Sequence, residues 1–195
     1  MKVNRFIAIF GLLLALSFFV PCQGWSQMVP NPRGPKPGTH APIITNAFAV
    51  DKGYSGYIWK IYVEGEDPDG EMLRIASVVE QPGVGGYPTD WIYLKPPYQK
   101  HFRGYIQWNT FGGSGSSYLW EWTQITLKVS VFDKAGNESN EVVFPFTFET
   151  GVKNAYNDKL PPPFDQGNQP RLGYINIDLH NTFSTGIGNV RGAVH

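Results

Sequence analysis

The sequence predicts an all-β protein, an antiparallel β-sandwich of about seven strands. Three observations predict it. Short runs alternate apolar and polar residues at period 2, turn-forming residues separate those runs, and no segment of eleven or more residues keeps a helical period. Composition agrees. The 195 residues include 22 Gly and 16 Pro, well above the roughly 12% of average usage. Aromatics reach 15% while charged residues stop at 16%, against a typical value of about 25%. With 16 basic and 16 acidic side chains, this profile excludes a coiled coil, a helical bundle, a basic nucleic-acid binder and an acidic disordered tail.

The first segment reads as an address. Lys2 and Arg5 precede an apolar run, Phe6 to Val20, that is broken by Pro21 and followed by small or polar residues. Fifteen residues fall short of the roughly 20 needed to span a bilayer, so residues 1–26 are expected to be a secretory signal peptide cut after Ser26. Cys22 is the only cysteine, so no intrachain disulfide is possible. The segment also resembles a bacterial lipoprotein signal, which would be cut before Cys22 and lipidated there. Phe19-Val20-Pro21 departs from that pattern, which wants Leu and then small residues. Loss of residues 1–26 moves the formal charge from zero to about −2, too little to steer a phosphate or an anionic lipid.

Residues 27–42 read as a Pro-rich linker, with five prolines and two glycines between Met28 and Pro42. Such a stretch favours extended, polyproline-like backbone and lacks ladder donors. Residues 43–150 carry the strands: Ile43–Val50, Tyr57–Glu64, Met72–Glu80, Trp91–Leu94, Phe102–Trp108, Ile125–Val131 and Val142–Phe148. The cleanest alternation sets Ile125, Leu127, Val129 and Val131 against Thr126, Lys128 and Ser130. Pro145, on the polar side of the last run, places that strand at an edge or a bulge. Residues 151–195 form a linker with Pro161-Pro162-Pro163, one further strand-like run at Leu172–Leu179, and a polar, Gly-rich end. That run suits addition to the sandwich edge or donation to a partner.

Two loops carry further information: Glu64-Gly65-Glu66-Asp67-Pro68-Asp69-Gly70-Glu71 and Asp133-Lys134-Ala135-Gly136-Asn137-Glu138-Ser139-Asn140. With the strands around them, they resemble the bacterial immunoglobulin-like and cadherin-like extracellular modules over residues 41–150. The segment 81–118 departs from that pattern by its length and its aromatic content. The resemblance implies a Greek-key sandwich, a binding or spacer role, and two acidic loops at one end. Glu64, Glu66, Asp67, Asp69, Asp133 and Asn137 could then contribute to a calcium site, a hard cation that wants six to eight oxygens. The same residues also read as plain turn chemistry, with Pro presetting φ and Gly or Asn reaching positive φ. Asn137-Glu138-Ser139 is in addition an N-glycosylation sequon.

A second candidate surface is aromatic. Tyr87, Trp91, Tyr98, Trp108, Trp120 and Trp122 crowd one stretch, together with Tyr93, Tyr105 and Tyr118, and Gly112–Ser117 would be a flexible lip. Flat rings on a sandwich face could stack on sugars, and the same rings could equally fill the core. Catalytic fingerprints are absent: the chain has no G-x-S-x-G, H-E-x-x-H, P-loop or dinucleotide motif. His40, His101, His180 and His195 are scattered. The expectation is an exported, non-catalytic sandwich for adhesion, scaffolding or protein interaction, with an envelope or protein partner. It has no nucleic-acid partner and no transmembrane helix in the mature chain. A carbohydrate-binding module is the alternative, and a hydrolase with a dispersed site a weaker one.

Overall fold

The computed structural model describes residues 26–31, 34–54, 56–110, 122–149 and 160–180. Residues 1–25 of the expected signal segment, Trp120 with the whole Gly112–Ser117 lip, and the C-terminal end after His180 therefore lie outside the described residues. Eleven strands form: β1 (Gln27–Val29), β2 (Ile43–Phe48), β3 (Lys52–Gly53), β4 (Ile58–Glu66), β5 (Met72–Gln81), β6 (Gly85–Gly86), β7 (Asp90–Tyr93), β8 (His101–Asn109), β9 (Gln124–Asp133), β10 (Glu141–Phe148) and β11 (Arg171–Ile175). All seven expected runs are strands. Of the other four, β11 overlaps the further strand-like run expected at 172–179, and β1, β3 and β6 are pieces of two or three residues paired with longer strands. Among the described residues, no helix is long and apolar enough to cross a membrane.

The strands make two packed sheets. Sheet A runs β1-β10-β9-β5-β6, with β3 also on β10 and β7 also on β5; sheet B runs β11-β8-β4-β2. Most pairs are antiparallel, but β3 and β11 join in parallel. Alternation along each strand sends one set of side chains inward. Trp59, Ile61 and Val63 from β4, and Phe102, Ile106 and Trp108 from β8, meet Ile125, Leu127, Val129, Phe144 and Phe146 from sheet A. Trp59 and Phe146 cross between the sheets with ring centres 4.4 Å apart. This disulfide-free core is thus aromatic at its centre, each ring burying far more apolar area than an aliphatic side chain.

Pro145 shows how the edge is managed. The odd-numbered residues of β10 send their N–H groups away from β9, as in Thr147 N–H to Asp51 O at 2.9 Å, and Glu149 just past the strand continues this with its N–H to Gly53 O at 2.8 Å. On that side β1 covers residues 141–143 and β3 begins at Thr147. Pro145 falls in the gap between them, where its missing donor costs no ladder bond. β10 is therefore interior for most of its length and open only at that point.

The described parts of both extensions pack on the sandwich. Asn31 Nδ2 donates to Glu138 O at 2.6 Å and Lys36 N–H to Asn137 Oδ1 at 2.8 Å. At the other end, Phe164 is buried against Tyr62 on the outer face of sheet B, with ring centres 5.6 Å apart. Leu172, Ile175 and Ile177 enter the core, and Trp108 Nε1 donates to Ile177 O at 3.0 Å. Of the two destinations the sequence offers for this run, the chain adopts its own sandwich edge. Residues 160–175 thus cover part of sheet B, while the outer face of sheet A carries no comparable segment among the described residues.

Candidate functional site on the outer face of sheet A

The two acidic loops do come together: Lys134 N–H donates to Glu71 O at 3.0 Å, and Met72 is in register with Asp133. The two buried carboxylates, however, are engaged locally. Buried Asp67 accepts the N–H groups of Asp69 and Glu71, both at 2.9 Å, and so shapes its own turn around Gly70, whose φ is 74°. Buried Asp133 accepts the backbone N–H and the Nδ2 of Asn137 at 2.7 and 2.6 Å. Asn137 also donates to Thr39 Oγ1 at 2.8 Å. Its amide is thereby enclosed, so the folded chain does not present the sequon.

Glu64 and Asp69 point elsewhere. Glu64 sits on the outer face of sheet B, where Arg103 Nη2 and Nε bind one carboxylate oxygen at 2.6 and 2.8 Å and Asn46 binds the other at 2.8 Å. Burial pushes its pKa up, but hydrogen bonds from Arg103, Asn46 and His101 outweigh that and leave it below the usual value. Exposed Asp69 is lowered by the His40 backbone N–H and then by its ring. Glu66 is exposed at the end of β4. Among the described residues, no group of three or more His, Cys, Asp or Glu is gathered to hold a metal ion.

The six aromatic candidates separate. Trp108 is fully buried at 0% exposure, so it is core. Tyr87 and Tyr98 are half-buried and pack against the core. Tyr87 also stacks on His180 and accepts the His180 N–H at 2.8 Å, which ties the end of the described chain to the turn after β5. Trp122 is 66% exposed and adopts a positive φ of 70°, an uncommon conformation for a bulky residue. It precedes β9, whereas Trp91 lies near the far end of that strand. Ten strand residues separate the two sites, roughly 30 Å. No single platform joins them.

Trp91 instead belongs to a row that the strand register builds. Arg74 of β5 pairs with Phe132 of β9 on one side and Tyr93 of β7 on the other. Its guanidinium lies 3.8 Å from the Trp91 ring centre and 5.9 Å from that of Phe132. The two rings meet edge to face at 5.4 Å. Trp91 remains 36% exposed and Tyr93 62%. A guanidinium on an indole contributes about 0.5–2 kcal/mol, more as water is excluded. Arg74 Nε is buried with no hydrogen-bond partner.

Sequence reasoning did not single out Arg74 or Phe132. Phe132 left a signal, because it is the one large ring on the polar face of the alternation that runs through Thr126, Lys128 and Ser130. Arg74 left none, since only cross-strand register brings it to Trp91. The other end of the same face holds a concavity of about 410 Å³ lined by Glu80, Gln81, Pro82, Gly83, Gly85, Gly86 and Thr126. Its carboxylate, Glu80, pairs with Lys128 at 2.6 Å. No family model matches the chain, and a search of curated proteins finds no relative.

Proposed function

We propose that this chain is an exported, non-catalytic binding module, of the adhesion or scaffolding kind, that engages a protein partner through the outer face of sheet A. One observation carries the reading: Arg74 stacked on Trp91, whose ring meets Phe132 edge to face, beside the exposed ring of Tyr93. Trp, Tyr and Arg are the side chains most enriched at the centres of protein interfaces. Arg74 also adds a fixed positive charge beside Trp91, which supports a protein partner with charged side chains over a neutral sugar. Export is supported by the charged start and the apolar run of residues 6–20. Cleavage after Ser26 would leave Gln27, the first residue of β1, at the new terminus and remove one bond, Ser26 Oγ to Ala47 O at 3.0 Å. The succession β2-β4-β8 facing β10-β9-β5-β7 supports the likeness to immunoglobulin-like modules.

The test is site-specific photo-cross-linking in cells that express the full chain. A benzophenone amino acid at position 93 is expected to trap one defined protein, and Trp91→Ala to abolish that adduct. The same group at position 60, on the outer face of sheet B, serves as the control. Equal adducts from both positions, or none from position 93, would sink the reading. A glycan-array signal that Trp91→Ala abolishes would replace it with the carbohydrate alternative.

A further inference from the structure

We propose that Arg74 reads an anionic side chain: the aromatic end of sheet A receives the carboxylate of an aspartate or glutamate in an extended segment of the partner. This rests on the binding reading above and adds the chemistry of what is bound. Among the described residues the ion pairs are Lys52–Glu149, Lys128–Glu80, Arg103–Glu64 and the two histidine contacts, His40–Asp69 and His101–Glu64. Arg74 is in none of them.

The surrounding carboxylates are turned to other work. Glu138, bridged to Phe132 through the backbone, accepts from Ser130 Oγ at 2.8 Å. Asp90 takes the N–H groups of Trp91 at 3.1 Å and Asn176 at 2.7 Å. Asp133 holds Asn137. The guanidinium is therefore a positive charge stacked on Trp91 and without a counter-charge among the described residues.

That combination suits a carboxylate. A guanidinium is planar, always charged and more weakly hydrated than an ammonium, so it can be desolvated against aromatic surface and still present a rigid fork. Stacking has already removed most of its rotational freedom, which lowers the entropic cost of pairing. Tyr93 and Phe132, in register on either side, flank any group that reaches it and reduce the local dielectric. A neutral amide would forgo the charge-assisted pair, and a lysine would be repelled.

The probe is a blocked peptide of alternating glutamate and phenylalanine, titrated into the isotope-labelled full chain beside its glutamine counterpart. The Arg74 Nε–H and Trp91 indole resonances are expected to shift saturably with the glutamate peptide and about tenfold more weakly with the glutamine one, the loss of a charge-assisted bidentate pair. Arg74→Gln is expected to abolish the response. Arg74→Lys keeps the charge but not the fork, and is expected to retain about a tenth of the affinity. Dispersed amide spectra of both variants confirm folding. Equal response to the two peptides, no response at Arg74, or inorganic phosphate binding as tightly as the peptide would each overturn the assignment. A position-93 adduct that survives Arg74→Gln would remove the acidic-partner inference while leaving the binding face intact. Failure of the position-93 adduct itself would remove both.

Discussion

Asn140 pairs with Ile44 as a neighbouring strand would. Its Oδ1 accepts the Ile44 N–H at 2.8 Å and its Nδ2 donates to the Ile44 carbonyl at 3.1 Å. Ile44 lies on β2, the edge strand of sheet B, and it faces Gly65 of β4 in register. Both Ile44 backbone groups would otherwise be open to another chain. An uncovered edge is a template for association, and one carboxamide from the opposite sheet closes it.

Asn140→Ala is therefore expected to lower stability by about 1–2 kcal/mol, the net value of two hydrogen bonds at a partly buried site. It should also raise self-association. Thermal melting and light scattering at increasing concentration check the two effects separately. Unchanged melting would mean that water replaces the amide without cost.

Two glycines leave no room for a side chain. A Cβ on Gly104 would sit 2.4 Å from the Pro170 carbonyl oxygen, and one on Gly173 would sit 2.3 Å from Ile92 Cγ2. Gly104→Ala and Gly173→Ala are expected to cost about 1–3 kcal/mol each by forcing β11 off the edge of the sandwich. Gly34→Ala, which meets nothing within 4 Å, should stay within about 0.5 kcal/mol. Denaturant midpoints for the three variants decide this. Equal midpoints would show that β11 is not held where it is described.

Tryptophan fluorescence separates core from surface. Trp59 and Trp108 are fully buried, while Trp91 and Trp122 are exposed. Trp91→Phe and Trp122→Phe should each reduce the acrylamide-quenchable emission, and Trp59→Phe and Trp108→Phe should leave it unchanged. Trp108→Phe should in addition destabilise by about 1–3 kcal/mol, because it leaves the buried Ile177 carbonyl without its donor. A quenchable Trp108 would contradict the packing of residues 172–177.

Acid should unfold the protein partly through Glu64. The folded-state pKa of Glu64 lies below its ordinary value of 4.5, so the ionised carboxylate stabilises the fold at neutral pH. That contribution is complete above the ordinary value and is lost as pH falls through the lower folded-state pKa. Glu64→Gln should be less stable than the parent at pH 7, yet lose less as pH drops from about 5 to about 3. Melting temperature against pH for both chains provides the comparison. Parallel curves would mean that the Arg103–Glu64 pair contributes nothing to acid sensitivity.

Much of the fold was legible because a strand's period is local. Ile125 to Val131 and Trp59 to Val63 place alternate residues on one face whatever lies across from them. The turns at Asp67–Gly70 and Asp133–Gly136 were legible for the same reason: Asp and Gly determine φ and ψ within four residues. The short strands were not. Gln27–Val29 and Lys52–Gly53 carry no pattern of their own and exist because β10 leaves donors and acceptors open on either side of Pro145. The Pro-rich stretch and Pro161–Pro163 likewise carry no sign in sequence of what they lie against, yet Lys36 reaches Asn137 and Phe164 reaches Tyr62.

The candidate site divides in the same way. Composition located the aromatic stretch, and the sequence by itself determined an all-β chain with alternating strands, Gly-containing turns and an apolar run near its start. It could not assign the rings, because Trp108 in β8 and Trp91 in β7 are alike in chemistry and differ only in which face of which sheet they meet. The tertiary structure decided that Trp108 closes the core and that Trp91 lies over Arg74. It also decided that the acidic residues are taken up by backbone N–H groups and Arg103. Period is a property of consecutive residues, whereas register is set by residues tens of positions apart, and the site is made of register.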